Sequence, residues 1–223
     1  MAYRRTERVL RRLAARRDAI LAAAQAAAAE GGMAAVQIVP VAERAGIAAG
    51  TVYRYFPSKT ELVNELVAQA CDREVEAMRQ AAAAAPGPLS AIAAAVAAFG
   101  TRALANRKLA WALIAEPSDA ETDNSRDIFR NALVAELDRL IRAAAAGGLL
   151  PPGETSLAAP ALVGALIQGL IGPLAPQVDA NPARQHEAVQ SLTLLALRAL
   201  GIADARARGL VAQTVMPLRE GAA

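Results

Sequence analysis

The chain has 223 residues, 55% of them hydrophobic and only 3% aromatic, so a large core must be built from aliphatic side chains. Its net charge is +3, yet residues 1–60 carry ten basic side chains against four acidic ones, and the remainder is therefore mildly acidic. This distribution predicts a polyanion partner at the N-terminal end only. A single cysteine, Cys71, excludes an intramolecular disulfide, and arginines interrupt every apolar stretch where a signal peptide would lie, so we expect a cytoplasmic protein.

The first residues form a basic arm, which we place at residues 1–16. Its Val9, Leu10 and Leu13 have the spacing of a helix that continues into the next segment. Residues 17–30 are predicted to form the first full helix, which the two glycines at 31–32 end. Because helical spacing recurs along the whole chain and strand-like alternation is scarce, we predict an all-α fold.

Two short helices are predicted next, at residues 39–45 and 49–56. Gly46 separates them and Pro57 stops the second. The four residues from Ser58 to Glu61 form a capping box, which predicts the start of a long helix that runs to about residue 84. Two short helices joined by a tight turn are the physical form of a helix-turn-helix.

The remaining chain is predicted to be helical as well. Glycines and prolines divide it into helices at residues 89–105, 107–115, 124–146, 155–171 and 182–200, with a tail helix after residue 201. The two apolar helices at 155–171 and 182–200 are our choice for a dimer interface, as a four-helix bundle across a two-fold axis.

The second short helix has two distinct faces. At about 100° per residue, four residues share one arc, which we call the polar face: Gly50, Thr51, Tyr53 and Arg54. The opposite arc holds Val52, Tyr55 and Phe56 and should pack on the preceding helices. Arg54 can donate two parallel hydrogen bonds to a guanine edge, while hydroxyl groups suit phosphate oxygens. The polar face therefore predicts a DNA-reading surface, which Gly50 lets a phosphate or a base edge approach closely.

Residues 17–67 resemble the DNA-binding domain of the tetracycline-repressor (TetR/AcrR) family. The matching signature residues are Gly32, Ala42, Ala45, Gly46, Gly50, Thr51, Tyr53, Tyr55, Phe56, Pro57, Ser58, Lys59 and Leu62. The resemblance implies a homodimeric transcription repressor, with a helix-turn-helix domain at 17–67 and an effector-binding and dimerisation domain at 68–223. The DNA-binding residues expected on this basis are Arg4, Arg5, Gln37, Ala49, Gly50, Thr51, Tyr53, Arg54, Tyr55 and Lys59.

The sequence departs from the family pattern at two positions. Val36 and Ala48 stand where the family usually has a hydroxyl residue, so the caps of the two short helices should be weaker by about 1 kcal/mol each. Gln37 could still reach the backbone nearby. This departure puts in doubt the contacts made at the start of these helices.

The C-terminal helices should enclose the effector. The expected wall residues are Phe99, Leu104, Trp111, Ile114, Phe129, Leu133 and Gln168. Because few charges lie among them, we expect a small apolar or amphipathic effector that releases the protein from a near-palindromic DNA operator.

Two other functions remain open from the residues. A membrane-associated helical protein could use the arm and the uncharged residues 155–178, although the prolines, glycines and acidic flanks there favour a protein that does not bind membranes. A small-molecule-binding protein with a degenerate DNA-binding domain would explain Val36 and Ala48. One histidine and one cysteine far apart, with no phosphate loop and no zinc-ligand spacing, predict no enzyme, no cofactor and no metal site.

Overall fold

A computed structural model describes the backbone of residues 2–117, 120–152, 155–178 and 181–214. Within these ranges it also describes the side chains, except those of residues 2–6, 8, 120 and 121. These ranges contain helices and connecting turns without a β-strand, which confirms the all-α prediction.

Ten α-helices follow one another in the described ranges. They are α1 (Ala2–Gly31), α2 (Ile38–Arg44), α3 (Ala49–Tyr55), α4 (Lys59–Ala83), α5 (Pro88–Ala105), α6 (Arg107–Ile114), α7 (Ala120–Ala146), α8 (Ala158–Leu166), α9 (Pro182–Ala199) and α10 (Asp204–Gln213). A short 3₁₀ turn, Met33–Ala35, precedes α2, and a π-helical turn, Ile167–Ile171, continues α8.

The basic arm is the first half of α1. The helix runs without interruption from Ala2 to Gly31, so the arm and the first predicted helix are one element. About half of the surface of Val9, Leu10 and Leu13 is exposed, because the neighbouring helices contact α1 only further along. The arm therefore projects from the fold as a helix.

The predicted boundaries agree with the observed helices to within a few residues, with two differences. The helix predicted at 124–146 begins earlier, at Ala120. The helix predicted at 155–171 is shorter, because α8 starts only at Ala158 and its continuation winds as a π-helix. The proposed domain boundary at residue 67 falls inside α4, which passes unbroken from the N-terminal helices into the C-terminal ones.

Helix α5 lies at the centre of the C-terminal part, packed against α4, α7 and α9. By length and composition it could cross a membrane, but 67% of it is buried inside the protein, and alanines along its length let the other helices approach closely. The uncharged stretch at 155–178 contains only 14 continuous helical residues, 158–171, which span about 21 Å against the roughly 30 Å of a bilayer core.

Hydrogen bonds join the short helix α6 and its flanking residues to the end of α1 on one side and to the turn before α9 on the other. The Lys108 ammonium donates to the carbonyl oxygen of Glu30, and the backbone N–H of Met33 donates to the Glu116 carboxylate at 2.8 Å. On the other side, the Arg107 guanidinium donates to the carbonyl oxygens of Gly172 at 2.8 Å and Pro176 at 3.0 Å. Helix α6 thus connects the N-terminal helices to the turn that precedes α9.

Candidate nucleic-acid interface

The turn between α2 and α3 is fixed by Gly46, whose φ is +66°. Its N–H donates to the Glu43 carbonyl at 3.1 Å, and the N–H of Ile47 donates to the Ala42 carbonyl at 3.0 Å. These two bonds form a Schellman motif, which requires a left-handed residue that only glycine adopts without strain. The turn therefore ends α2 and lets α3 pack against it, as in a helix-turn-helix.

Helix α3 packs through its apolar side chains. Val52 is fully buried and Phe56 nearly so, with the Arg17 guanidinium 5.1 Å from the centre of the Phe56 ring. Such a distance allows a cation–π contact. These contacts fix the rotation of α3 about its own axis.

The polar face of α3 is turned outward, as predicted. Gly50 and Arg54 are exposed, Tyr53 is 50% exposed, and Thr51 is half-buried. A methyl group added at Gly50 would find no other atom within 4 Å. A molecule that approaches this face therefore meets bare backbone at Gly50 and polar groups on either side of it.

Arg54 and Lys59 carry the free positive charge of this surface. Lys59 is exposed at the first residue of α4, where unpaired backbone N–H groups also favour an anion. Among the side chains that the structure describes, neither cation has a hydrogen bond or an ion pair. By contrast, Arg17 is bonded to Glu65 at 2.6 Å and Arg44 to Glu30 at 2.8 Å. Arg54, on the polar face, and Lys59, beside it, are therefore available to a polyanion.

The departure at Ala48 has the structural effect expected of it, whereas Val36 does not stand at a cap position. Neither α2 nor α3 has a side-chain cap, and Gln37 instead donates from Nε2 to the Ala34 carbonyl at 3.0 Å. Val36 is fully buried one residue before the N-cap of α2, which is Gln37, so its apolar side chain stabilises the domain by packing.

The remaining predicted DNA-binding residues are placed differently. Ala49 is half-buried at the first residue of α3, and Gln37 is exposed. Tyr55 is half-buried and packs against the core on the side of α3 away from the polar face. The side chains of Arg4 and Arg5 lie outside the described residues, although the backbone there is part of α1.

Three of the predicted effector-binding residues line one cavity. Phe99, Ile114 and Phe129 face a space of about 70 Å³ enclosed by α4, α5, α6 and α7. The other four do not line it. Leu104 and Leu133 are buried in the core, Trp111 is half-buried, and Gln168 is exposed on the surface within the π-helical turn.

Two charged residues also line this cavity. Glu74 and Arg102 both line it, joined by hydrogen bonds from the guanidinium to the carboxylate at 3.0–3.1 Å. Asn106 lines it too, with its side-chain oxygen accepting from the Leu109 N–H. One sequence signal pointed to this site, because Arg102 is the only charged residue of α5.

Comparison with known proteins gives a specific match for the N-terminal helices. Residues 20–66 match the profile of the bacterial regulatory proteins, tetR family. The chain is 52% identical over 58 residues to the HTH-type transcriptional repressor KstR of Rhodococcus jostii, and 56% identical over 48 residues to KstR of Mycobacterium tuberculosis. The matched segment spans 27% of the first protein and 22% of the second, so this chain matches about a quarter of the length of these relatives.

The fold as a whole is similar to that of several solved structures. The fatty acid degradation regulator FadR of Bacillus halodurans has a TM-score of 0.71 and 24% identity, covering 82% of this chain and 94% of that one. RolR in complex with resorcinol has a TM-score of 0.66 and 20% identity, covering 94% of this chain and 98% of that one. FadR of Bacillus subtilis in complex with stearoyl-CoA has a TM-score of 0.70 and 20% identity, covering 81% and 97%. At these identities the likeness is one of fold.

Proposed function

Because its N-terminal domain makes this chain a member of the TetR family of bacterial regulatory proteins, we propose that it is a ligand-responsive transcriptional repressor that acts in the cytoplasm. The observation that carries the proposal is the polar face of α3, which is turned outward with Arg54 on it and Lys59 beside it, neither cation having a partner among the described side chains. Relatives that are about half identical to this chain over 48–58 residues are transcriptional repressors.

The proposed reading of DNA follows from the chemistry of that surface. Helix α3 enters the major groove, where the Arg54 guanidinium donates to a guanine edge and gives sequence preference. Thr51 and Tyr53 donate to phosphate oxygens, and Lys59 contacts a phosphate at the start of α4, which fixes the register without reading sequence. The helical arm adds phosphate contacts through its arginines.

A dimer would place two α3 helices on one face of the duplex, about 34–36 Å apart, so the operator should be near-palindromic. The proposed interface is formed by α8, its π-helical turn and α9. Large apolar side chains are exposed in this part of the surface, with Leu195 at 53% and Leu174 at 84%. Burial of these side chains against a second copy would remove them from water, which favours association.

The proposed effector site is the cavity beside Phe99, Ile114 and Phe129. Its volume of about 70 Å³ is well below the roughly 300–1,000 Å³ of ordinary ligand pockets, so an effector would have to push the helices apart. We infer an amphipathic effector, with its apolar part against the aromatic rings and its polar part towards Glu74 and Arg102. A coupling of about 1–3 kcal/mol between this site and DNA would weaken binding by about five- to 150-fold.

The test is a fluorescence anisotropy titration of the full chain with a labelled duplex from upstream of its own gene. An unrelated duplex measures non-specific binding at the same salt concentration. Replacing Arg54 with Ala should cost about 1–3 kcal/mol on the specific duplex and much less on the unrelated one. Arg142→Ala is the matched control, because it removes the same charge from an exposed position about 25 Å along α7 from the N-terminal helices. Equal affinity for both duplexes, unchanged by Arg54→Ala, would contradict the proposal.

A further inference from the structure

A cleft of about 460 Å³ opens between the N-terminal helices and the first turns of α7. It is separate from the small cavity of the proposed effector site, and the Phe129 ring lies between the two and lines both. Residues on the walls of the cleft include Tyr55, Glu61, Ala68, Asp72, Ile128 and Phe129.

The part of the cleft around Ala68 is apolar, whereas Asn64, Glu65 and Ser125 line the part nearer Glu61. Ile128 is 62% exposed there, which is unusual for so large an aliphatic side chain, and Phe129 closes the floor. Cys71 adds to this surface because burial, together with the nearby charge of Asp72, raises the pKa of its thiol to about 11. The thiol is therefore neutral near pH 7. This surface would gain free energy by covering an apolar molecule.

Acidic groups lie on both sides of this apolar part. Among the described residues that line the cleft are three carboxylates, Glu61, Glu65 and Asp72, and one cation, Arg17, which is already bonded to Glu65 at 2.6 Å. The side chains of Glu61 and Asp72 have no hydrogen bond or ion pair with any side chain that the structure describes. The cleft therefore has two carboxylates that are free to bind a cation.

The spacing of these two carboxylates sets the shape of a matching ligand. Glu61 and Asp72 are eleven residues apart on α4, which puts them on one face of the helix and about 16 Å apart along its axis. One ammonium group cannot contact both. Two ammonium groups joined by an apolar chain would contact one carboxylate each, with the chain lying over Ala68, Ile128 and Phe129.

We propose that the cleft is a second ligand site, which binds an elongated organic dication with an apolar middle. Such a ligand touches α4, α7 and Tyr55 at the end of α3 at the same time. It would therefore hold the N-terminal helices against the C-terminal ones. Any effect of this ligand on DNA affinity rests on the proposed function, whereas binding of the ligand in the cleft does not.

The test is isothermal titration of the full chain, without DNA, with decamethylenediamine as the probe. Three control compounds are compared with it. Decylamine lacks one of the two charges, decanol lacks both, and tetramethylenediamine keeps both charges on a shorter chain. We expect the long diamine to bind at one molecule per chain and more tightly than all three. Glu61→Gln and Asp72→Asn should each weaken its binding about two- to fivefold, as befits partly exposed ion pairs, without affecting the weak binding of decanol. Glu76→Gln is the control, because it is exposed one turn further along α4 and does not line the cleft.

Two filling variants identify which space is occupied. Ala68→Trp fills the cleft from an exposed position and should abolish binding, whereas Ala103→Val narrows only the inner cavity and should leave it unchanged. Circular dichroism checks that each variant is helical, and if Ala68→Trp does not fold, the two charge variants decide. The proposal is overturned if the diamine binds no better than decanol, if neither charge variant weakens diamine binding, or if Ala103→Val alone abolishes diamine binding.

Discussion

Replacing Gly50 with Ala should change protein stability and DNA affinity in opposite directions. Gly50 is an exposed helical residue, and a methyl group there meets no atom within 4 Å. Alanine restricts the unfolded chain more than glycine does, so the free energy of unfolding should rise by about 0.4–1 kcal/mol. For a chain of this length, that corresponds to a Tm increase of about 1–4 °C.

The same methyl group should obstruct DNA. If a phosphate or a base edge approaches the bare backbone of α3, the added carbon occupies space that the complex needs. Overfilling a close contact costs about 1–3 kcal/mol, so we expect affinity for the specific duplex to fall by about five- to 150-fold. Anisotropy titration at fixed salt measures the affinity, and thermal unfolding measures the stability.

Gly209→Ala provides a matched control for this experiment. Gly209 is also exposed within a helix, α10, and an added methyl group there likewise meets no atom within 4 Å. It should raise the Tm by a similar amount and leave DNA affinity unchanged. If Gly50→Ala binds DNA as tightly as the parent protein, close approach at Gly50 is refuted, and if it lowers the Tm, the open geometry of α3 is wrong.

Two further predictions concern the arm and a buried carboxylate. Deleting residues 1–16 removes six arginines and should lower the slope of log affinity against log salt by about 0.9 for each phosphate that the arm neutralises; an unchanged slope would exclude the arm from the interface. Burial alone would raise the pKa of Glu136, but hydrogen bonds from Arg139 and Arg79 lower this pKa below its ordinary value. The ionised carboxylate therefore stabilises the fold at a pH above that ordinary value, and this contribution is lost as the pH falls below it. Glu136→Gln should therefore lower stability at pH 7 and flatten its decline in acid, as measured by urea unfolding from pH 7 to 3, whereas a parallel decline in both proteins would assign the acid loss to other groups.

Most of the N-terminal domain could be predicted from sequence, because its determinants are local. Gly46 forms the turn between α2 and α3, and Pro57 follows the end of α3. The Ser58 hydroxyl accepts from the Glu61 N–H at 3.1 Å, as the capping box predicts. The outward direction of the polar face follows from the helical period once Val52 and Phe56 are recognised as core. Each of these signals lies within a few residues of the feature that it specifies.

The walls of the two cavities could not be predicted in the same way. The contact between Glu74 and Arg102 joins residues 28 apart, and the Asn64 side-chain oxygen accepts from the Ser125 hydroxyl 61 residues away. Helical periodicity assigns a residue to a buried or an exposed side, but it does not say which other helix will face it. Gln168 is a different case, because it follows the buried Leu166 by two residues, about 200° around the helix, so the helical period alone already places it on the exposed side.

Helix α6 is the element through which binding of the proposed effector would shift the DNA-binding helices. Ile114 and Leu113 line the cavity, so an effector that enlarges it pushes on α6 directly. At the C-terminal end of α6, the Glu116 carboxylate is held against Gly32, where a Cβ atom would lie 2.7 Å from a carboxylate oxygen. Because Gly32 also has a φ of +72°, no other residue fits this position without strain. A shift of α6 must therefore either break the bond to Met33 or carry the end of α1 with it, and α1 packs directly on α2 of the helix-turn-helix.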